Sequence, residues 1–78
     1  MKIIHPEDIG KIIKQKRKED GLTLVEAAAV CGVSYAFFSA LENGKATVQL
    51  NKVLQVLRSL GIELEASPRT WRTPGDES

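Results

Sequence analysis

Apolar residues recur at helical spacing through most of the chain. Ile9, Ile12 and Ile13 lie three and four apart, with Lys11, Lys14, Lys16 and Lys18 on the remaining faces, which is an amphipathic helical pattern. Pro6 suits a first turn, and Glu7 and Asp8 suit its positive end. The pattern predicts a first helix over residues 6–20, stopped by Gly21. Thr23-Leu24-Val25-Glu26 is a capping box, and it predicts an alanine-rich helix over 24–31 that ends at Gly32. Val33 is an apolar plug, and Ser34 is the N-cap of a third helix over 35–42. That helix stops at Asn43-Gly44, two residues that tolerate positive φ. Lys45 to Gln49 is a loop. Leu50, Val53, Leu54, Leu57 and Leu60 then predict a fourth amphipathic helix, ended by Gly61. Ile62-Glu63-Leu64-Glu65 alternates, which predicts a short strand. Residues 67–78 contain Pro68, Pro74 and Gly75 among polar residues and are expected to form a flexible tail.

Composition narrows the reading. The chain has 78 residues, enough for one domain. A domain this small buries roughly 60–65% of its unfolded surface and is marginal alone. Cys31 is the single cysteine and His5 the single histidine, so neither an internal disulfide nor a four-ligand zinc site is available. Self-association is the remaining source of extra stability. Cys31 lies in an apolar stretch and reads as a buried small hydrophobe, and His5 as an exposed terminal residue. No catalytic constellation, metal site or cofactor site emerges, so no enzyme is expected. The six glycines stand singly and read as helix ends and tail, with no phosphate-cradling loop. No apolar run approaches the ~20 residues of a membrane span. No signal peptide is legible, which predicts a cytoplasmic protein with a reduced thiol. Net charge is +1, and that value hides an asymmetry. Residues 1–18 carry six cations against two acids, a net +4, while residues 62–78 carry a net −2. Any of Lys14, Lys16 and Lys18 is a candidate for phosphate contact, or else a solvated face.

Two short helices joined by a tight glycine turn within an all-helical chain describe a helix-turn-helix, over residues 23–42. Ala28 is small where the helices must approach. Gly32 permits the turn, Val33 packs beneath it, and Phe38 and Leu41 face inward. The string Leu22-Thr23, Glu26, Ala28, Gly32-Val33-Ser34, Ser39, Glu42-Asn43-Gly44 resembles the Cro/C1-type (XRE) helix-turn-helix family. The continuation Phe37-Phe38-Ser39, Lys45, Thr47-Val48, Leu50, Val53-Leu54, Val56-Leu57, Leu60-Gly61-Ile62-Glu63-Leu64 is similar to HipB-like antitoxins, which repress their own operon and partner a HipA-type kinase toxin. The resemblance spans about residues 9–65. It implies an all-α, four-helix, lambda repressor-like domain over 6–66, with a C-terminal strand pairing across a dimer.

The resemblance also implies roles. Arg17 would pair with Glu42, joining the first helix to the end of the third. Tyr35, Ala36, Ser39 and Ala40 would face DNA bases. Asn43 and Lys45 would match a phosphate-contacting turn, with Thr47 adding a hydroxyl, while Thr23 and Ser34 mark helix N-termini whose free N–H groups can hold phosphates. The chain departs from the family here, because relatives often carry Arg, Gln or Lys where Tyr35, Ala36 and Ala40 stand. Leu24 replaces a phosphate-touching glutamine, and Gln49 and Asn51 stand where relatives often carry Arg and Asp. Bidentate base readout needs Arg, Lys, Asn or Gln. Specificity would then come from Ser39, Tyr35, thymine methyl contacts or DNA shape.

A single strand cannot satisfy its own ladder. Residues 62–65 would pair with a second copy, or with Lys2 to Ile4, and Ile62 and Leu64 would lie in the dimer interface. Trp71, between Arg69 and Arg72, is a candidate partner-docking anchor. The expected function is a dimeric repressor on a palindromic operator, and an antitoxin of a HipA-type kinase toxin. The alternatives are a stand-alone XRE regulator and a protein-interaction module with weak DNA binding. Neither a membrane nor a small-molecule substrate is expected as a partner.

Overall fold

The computed structural model describes residues 2–68. It contains α1 (Pro6–Glu19), α2 (Leu24–Cys31), α3 (Tyr35–Glu42) and α4 (Leu50–Ser59), within two residues of the expected bounds. The starts of α1, α2 and α3 each have a local cause. The Asp8 carboxylate accepts N–H bonds from Ile4 and His5, both at 2.9 Å. Thr23 Oγ1 accepts from the Glu26 N–H at 3.1 Å, and the Glu26 carboxylate accepts from the Thr23 N–H at 2.9 Å. Ser34 Oγ accepts from the Phe37 N–H at 3.0 Å. The α2–α3 turn closes on Gly32 at φ 71°, a conformation that penalises a Cβ. α3 then leaves at 109° to α2, within the helix-turn-helix range. No single helix among the described residues is long and apolar enough to cross a membrane.

These caps carry a pH dependence. The two backbone N–H groups of His5 and Ile4 hold the Asp8 carboxyl below its ordinary 3.8. The N–H of Thr23, then its hydroxyl, holds the Glu26 carboxyl below its ordinary 4.5. A carboxylate depressed in the folded state stabilises it above the unfolded pKa, and the gain is lost as pH falls through the folded pKa. Thermal unfolding followed by circular dichroism should therefore weaken from pH 4.5 downward. Glu26→Gln should flatten the upper part of that slope. An unchanged slope would show that Glu26 does not contribute to it.

The core gathers Ile13 from α1, Ala27, Ala28 and Cys31 from α2, Phe38 and Leu41 from α3, and Val53, Val56, Leu57 and Leu60 from α4 and its cap. α4 is rotated from its expected setting. Leu50 and Leu54 lie outside the core, at 68% and 38% exposure, and Val56 is fully buried instead. The buried stripe is Val53, Val56, Leu57 and Leu60, spaced three, four and seven apart. Leucines at 50 and 54 fit the same periodicity, so only contact with α2 fixes which flank turns inward.

One further expectation needs correction. Gly10 is neither a helix end nor tail, for it lies buried inside α1. A Cβ there would come within 2.6 Å of the carbonyl oxygens of both Leu41 and Glu42. The glycine is what lets α1 rest directly on the last turn of α3. Within one chain residues 62–68 carry no regular secondary structure, and the strand expected over 62–65 was to pair across a dimer. A ladder requires a second strand, and none is present among the described residues. Ile62 instead packs against its own core, its N–H donating to the Leu57 carbonyl at 2.8 Å. Most of the expected tail, including Trp71, lies outside the described residues.

Candidate nucleic-acid interface

The outward surface of α3 follows from its inward one. Phe38 and Leu41 are buried, and Phe37 and Glu42 are half-buried. Ala36, Ser39, Ala40 and Asn43 are spaced three, four and seven apart, so they share the opposite face. Ala36 and Asn43 are exposed, and Ser39 and Ala40 are half-buried. Tyr35 stands at the helix start, 53% exposed. The structure therefore brings Tyr35, Ala36, Ser39 and Ala40 onto or beside one accessible stripe.

A shallow open cleft of about 270 Å³ runs beside this stripe. Its lining combines apolar Ala36, Phe37, Ala40 and Val48 with polar Lys45, Thr47 and Gln49. Lys52 covers the Phe37 ring, with Nζ 5.7 Å from the centroid, a distance at which a cation is attracted to the ring face. Lys14 and Lys18 border a different hollow on α1, with Lys11, Gln15 and Glu19. Lys16 pairs with Asp20 at 3.1 Å. The lysines of α1 thus do not line the cleft beside α3.

The two helix N-termini differ in charge. Thr23 and Ser34 are both exposed and both engaged as caps. The first turn of α2 holds the Glu26 carboxylate, whereas the first turn of α3 has no acid. A phosphate near α2 meets a fixed negative charge, and one near α3 meets only amide dipoles. Of the two caps, Ser34 marks the more favourable anion end. Among the described residues no group of three or more His, Cys, Asp and Glu is placed to hold a metal ion.

The stripe is held in place by one charged joint. Arg17 Nε donates to Glu42 Oε2 at 2.6 Å and Nη2 donates to Oε1 at 3.2 Å. Nη1 donates to the Leu22 carbonyl at 2.8 Å. One guanidinium therefore ties together α1, the α1–α2 turn and the end of α3. Its bond to Glu42 keeps the Arg17 pKa above its ordinary value despite burial. The side chains are only 11% and 6% exposed, so the pair is shielded from water.

Sequence reasoning missed three positioning residues. Gly10 admits α1 to the α3 terminus. Gln55 Nε2 donates to the Cys31 carbonyl at 2.7 Å, so a side chain of α4 closes the end of α2. Phe37 lines the cleft and carries Lys52. An aromatic residue fifteen positions before a lysine carries no local signal. A glycine inside a lysine-rich helix was the one visible cue to Gly10.

Comparison with known proteins agrees with this architecture. The helix-turn-helix family model HTH_3 matches residues 13–66. The uncharacterized HTH-type transcriptional regulator y4mF of Sinorhizobium fredii is 47% identical over 60 residues, covering 77% of this chain and 79% of that protein. The HTH-type transcriptional regulator SinR of Bacillus licheniformis is 36% identical over 70 residues, covering 90% of this chain and 60% of SinR. Among solved structures, a chain of a HipA-HipB-O2-O3 complex superposes with a TM-score of 0.78 at 26% identity, covering 90% of this chain and 99% of that one. A chain of a HipB(S29A)-O2 20mer complex gives the same TM-score and identity over 90% and 97%. With its fold, its turn geometry and these likenesses in agreement, the chain belongs to the helix-turn-helix family of transcriptional regulators, of the Cro/C1 (XRE) type.

Proposed function

We propose that this protein is a dimeric, sequence-specific DNA-binding repressor that autoregulates its own operon as the antitoxin partner of a HipA-type kinase toxin. The observation that carries the DNA-binding part is the accessible α3 stripe beside a cleft edged by Lys45 and Thr47. α3 enters the major groove. The N–H groups behind Ser34, with Asn43, Lys45 and Thr47, hold the flanking phosphates. Thr23 adds a weaker contact because of Glu26. Two heads about one helical turn apart, roughly 34 Å, match a palindromic operator and occlude its promoter. The toxin partnership is supported by likeness to chains from HipA-HipB and HipB complexes. The second reading is a stand-alone regulator, and the likeness to y4mF, an HTH-type transcriptional regulator, supports the regulatory role that both readings share. Co-purification from the native operon separates the two, because only the first brings down a kinase-sized partner.

Gel shift on the DNA upstream of the gene tests the repressor reading. Binding should weaken steeply with salt, since each neutralised phosphate contributes about 0.9 to the slope of log K against log salt. Lys45→Ala should weaken all sequences alike and lower the slope by about one per protomer. No shift at low salt sinks the repressor reading. The dimer is proposed to form through Leu64, 44% exposed beyond the core, with Ile62 beneath it. Leu64→Glu should then yield monomers in sedimentation, and an unaltered dimer dismisses that interface.

A further inference from the structure

Hydrogen-bonded readout of a base pair needs a side chain that reaches the groove floor with paired groups. The outward stripe of α3 offers none where it would be used. Ala36 is exposed and Ala40 half-buried, and each carries a methyl alone. Ser39 adds one hydroxyl. Asn43 is the single amide on the stripe, about 10 Å past Ala36 at 1.5 Å per residue. Recognition helices meet base edges with their N-terminal residues, so Asn43 is at the wrong end.

Apart from Tyr35 at the start of α3, the side chains that remain are small and apolar, and they border a cleft also lined by Phe37 and Val48. Lys45 and Thr47 line it as well. A nucleotide strand lying along it would put phosphate against the lysine and hydroxyl, and base edges against the alanines. Small side chains also let the α3 backbone approach the groove floor more closely than a long cation would. One base presents an apolar group in the major groove, namely thymine through its C5 methyl.

We infer that Ala36 and Ala40 read the C5 methyls of thymines in the operator half-site, making methyl contact the source of base preference. Ser39 takes one hydrogen-bonding atom of a neighbouring base. This inference rests on the DNA-binding reading above and specifies what that face selects. It predicts a half-site with A·T pairs opposite the first turns of α3.

The test uses the full chain. Bound duplexes are selected from a random pool, and each thymine of the selected site is replaced singly by deoxyuridine, which differs by the missing methyl. At one or two positions per half-site, affinity measured by fluorescence anisotropy should fall about fourfold, the cost of one methyl returned to water. In Ala36→Gly, shown by circular dichroism to be folded, the penalty at one of these positions should shrink to less than twofold. Binding that tolerates deoxyuridine throughout overturns the inference and leaves the DNA-binding reading intact. A deoxyuridine penalty unchanged in both Ala36→Gly and Ala40→Gly also overturns it, because the methyl is then felt through DNA shape. Failure to capture any duplex at low salt overturns both.

Discussion

Arg17→Met should destabilise the domain by about 3 kcal/mol, because it strands the Glu42 carboxylate in a shielded site. For a chain of this size, that lowers Tm by roughly 12 °C or more. The expectation follows from geometry. The carboxylate keeps 6% of its exposure and takes two bonds from the guanidinium, at 2.6 and 3.2 Å. Arg17→Lys should fall between, since an ammonium keeps the charge and loses the fork. It also gives up the bond to the Leu22 carbonyl. The double variant Arg17→Met, Glu42→Leu should recover most of the loss, because no charge remains unpaired. Urea unfolding of the four proteins measures all of this. A loss below about 1 kcal/mol for Arg17→Met would place the pair among ordinary surface salt bridges.

Gly10→Ala tests the same joint by a different force, and its expected sign opposes helix propensity. Alanine in a helix interior normally gains about 1 kcal/mol over glycine. Here the added methyl meets two backbone carbonyl oxygens at 2.6 Å, and these move only with the helix that carries them. We expect a net loss of about 1–3 kcal/mol, typical of overpacking. α1 would be levered from α3, and the Arg17–Glu42 bonds would lengthen with it. Gly10→Ala and Arg17→Met should therefore cost less together than the sum of their separate losses. A Gly10→Ala protein more stable than the parent would show that α1 does not rest on α3 as described.

What the sequence revealed depended on distance along the chain. The caps at Thr23 and Ser34 and the turn at Gly32 involve neighbours three or four residues apart, so residue type alone predicts them. The four helices followed for the same reason. The Arg17–Glu42 joint spans 25 positions, and it was visible only through family resemblance. The rotation of α4 was not legible, because Leu50, Val53, Leu54 and Leu57 all fit the periodicity and α2 selects among them. Gly10 and Gln55 act on backbone atoms of other helices. Nothing local marks the encounter for Gln55, and for Gly10 only a glycine inside a lysine-rich helix hints at it. Ile62 was read by alternation as part of a strand, yet its first neighbour in space is the core beneath it. On α3, Tyr35, Ala36, Ser39 and Ala40 were named through the family resemblance, while the cleft with Phe37 and Val48 emerged only from the way the α3–α4 loop folds back.

The seal over Cys31 gives the molecule an internal clock. The thiol is 2% exposed, burial raises its pKa, and Gln55 from α4 binds the carbonyl of the same residue. A thiolate-seeking reagent reaches the sulfur only when α4 lifts from α2. With one cysteine in the chain, the labelling rate reports that single separation. Its dependence on reagent concentration distinguishes rapid reclosure from slow opening. The lifetime of the assembled head, free or on DNA, can thus be timed at one atom without adding a probe.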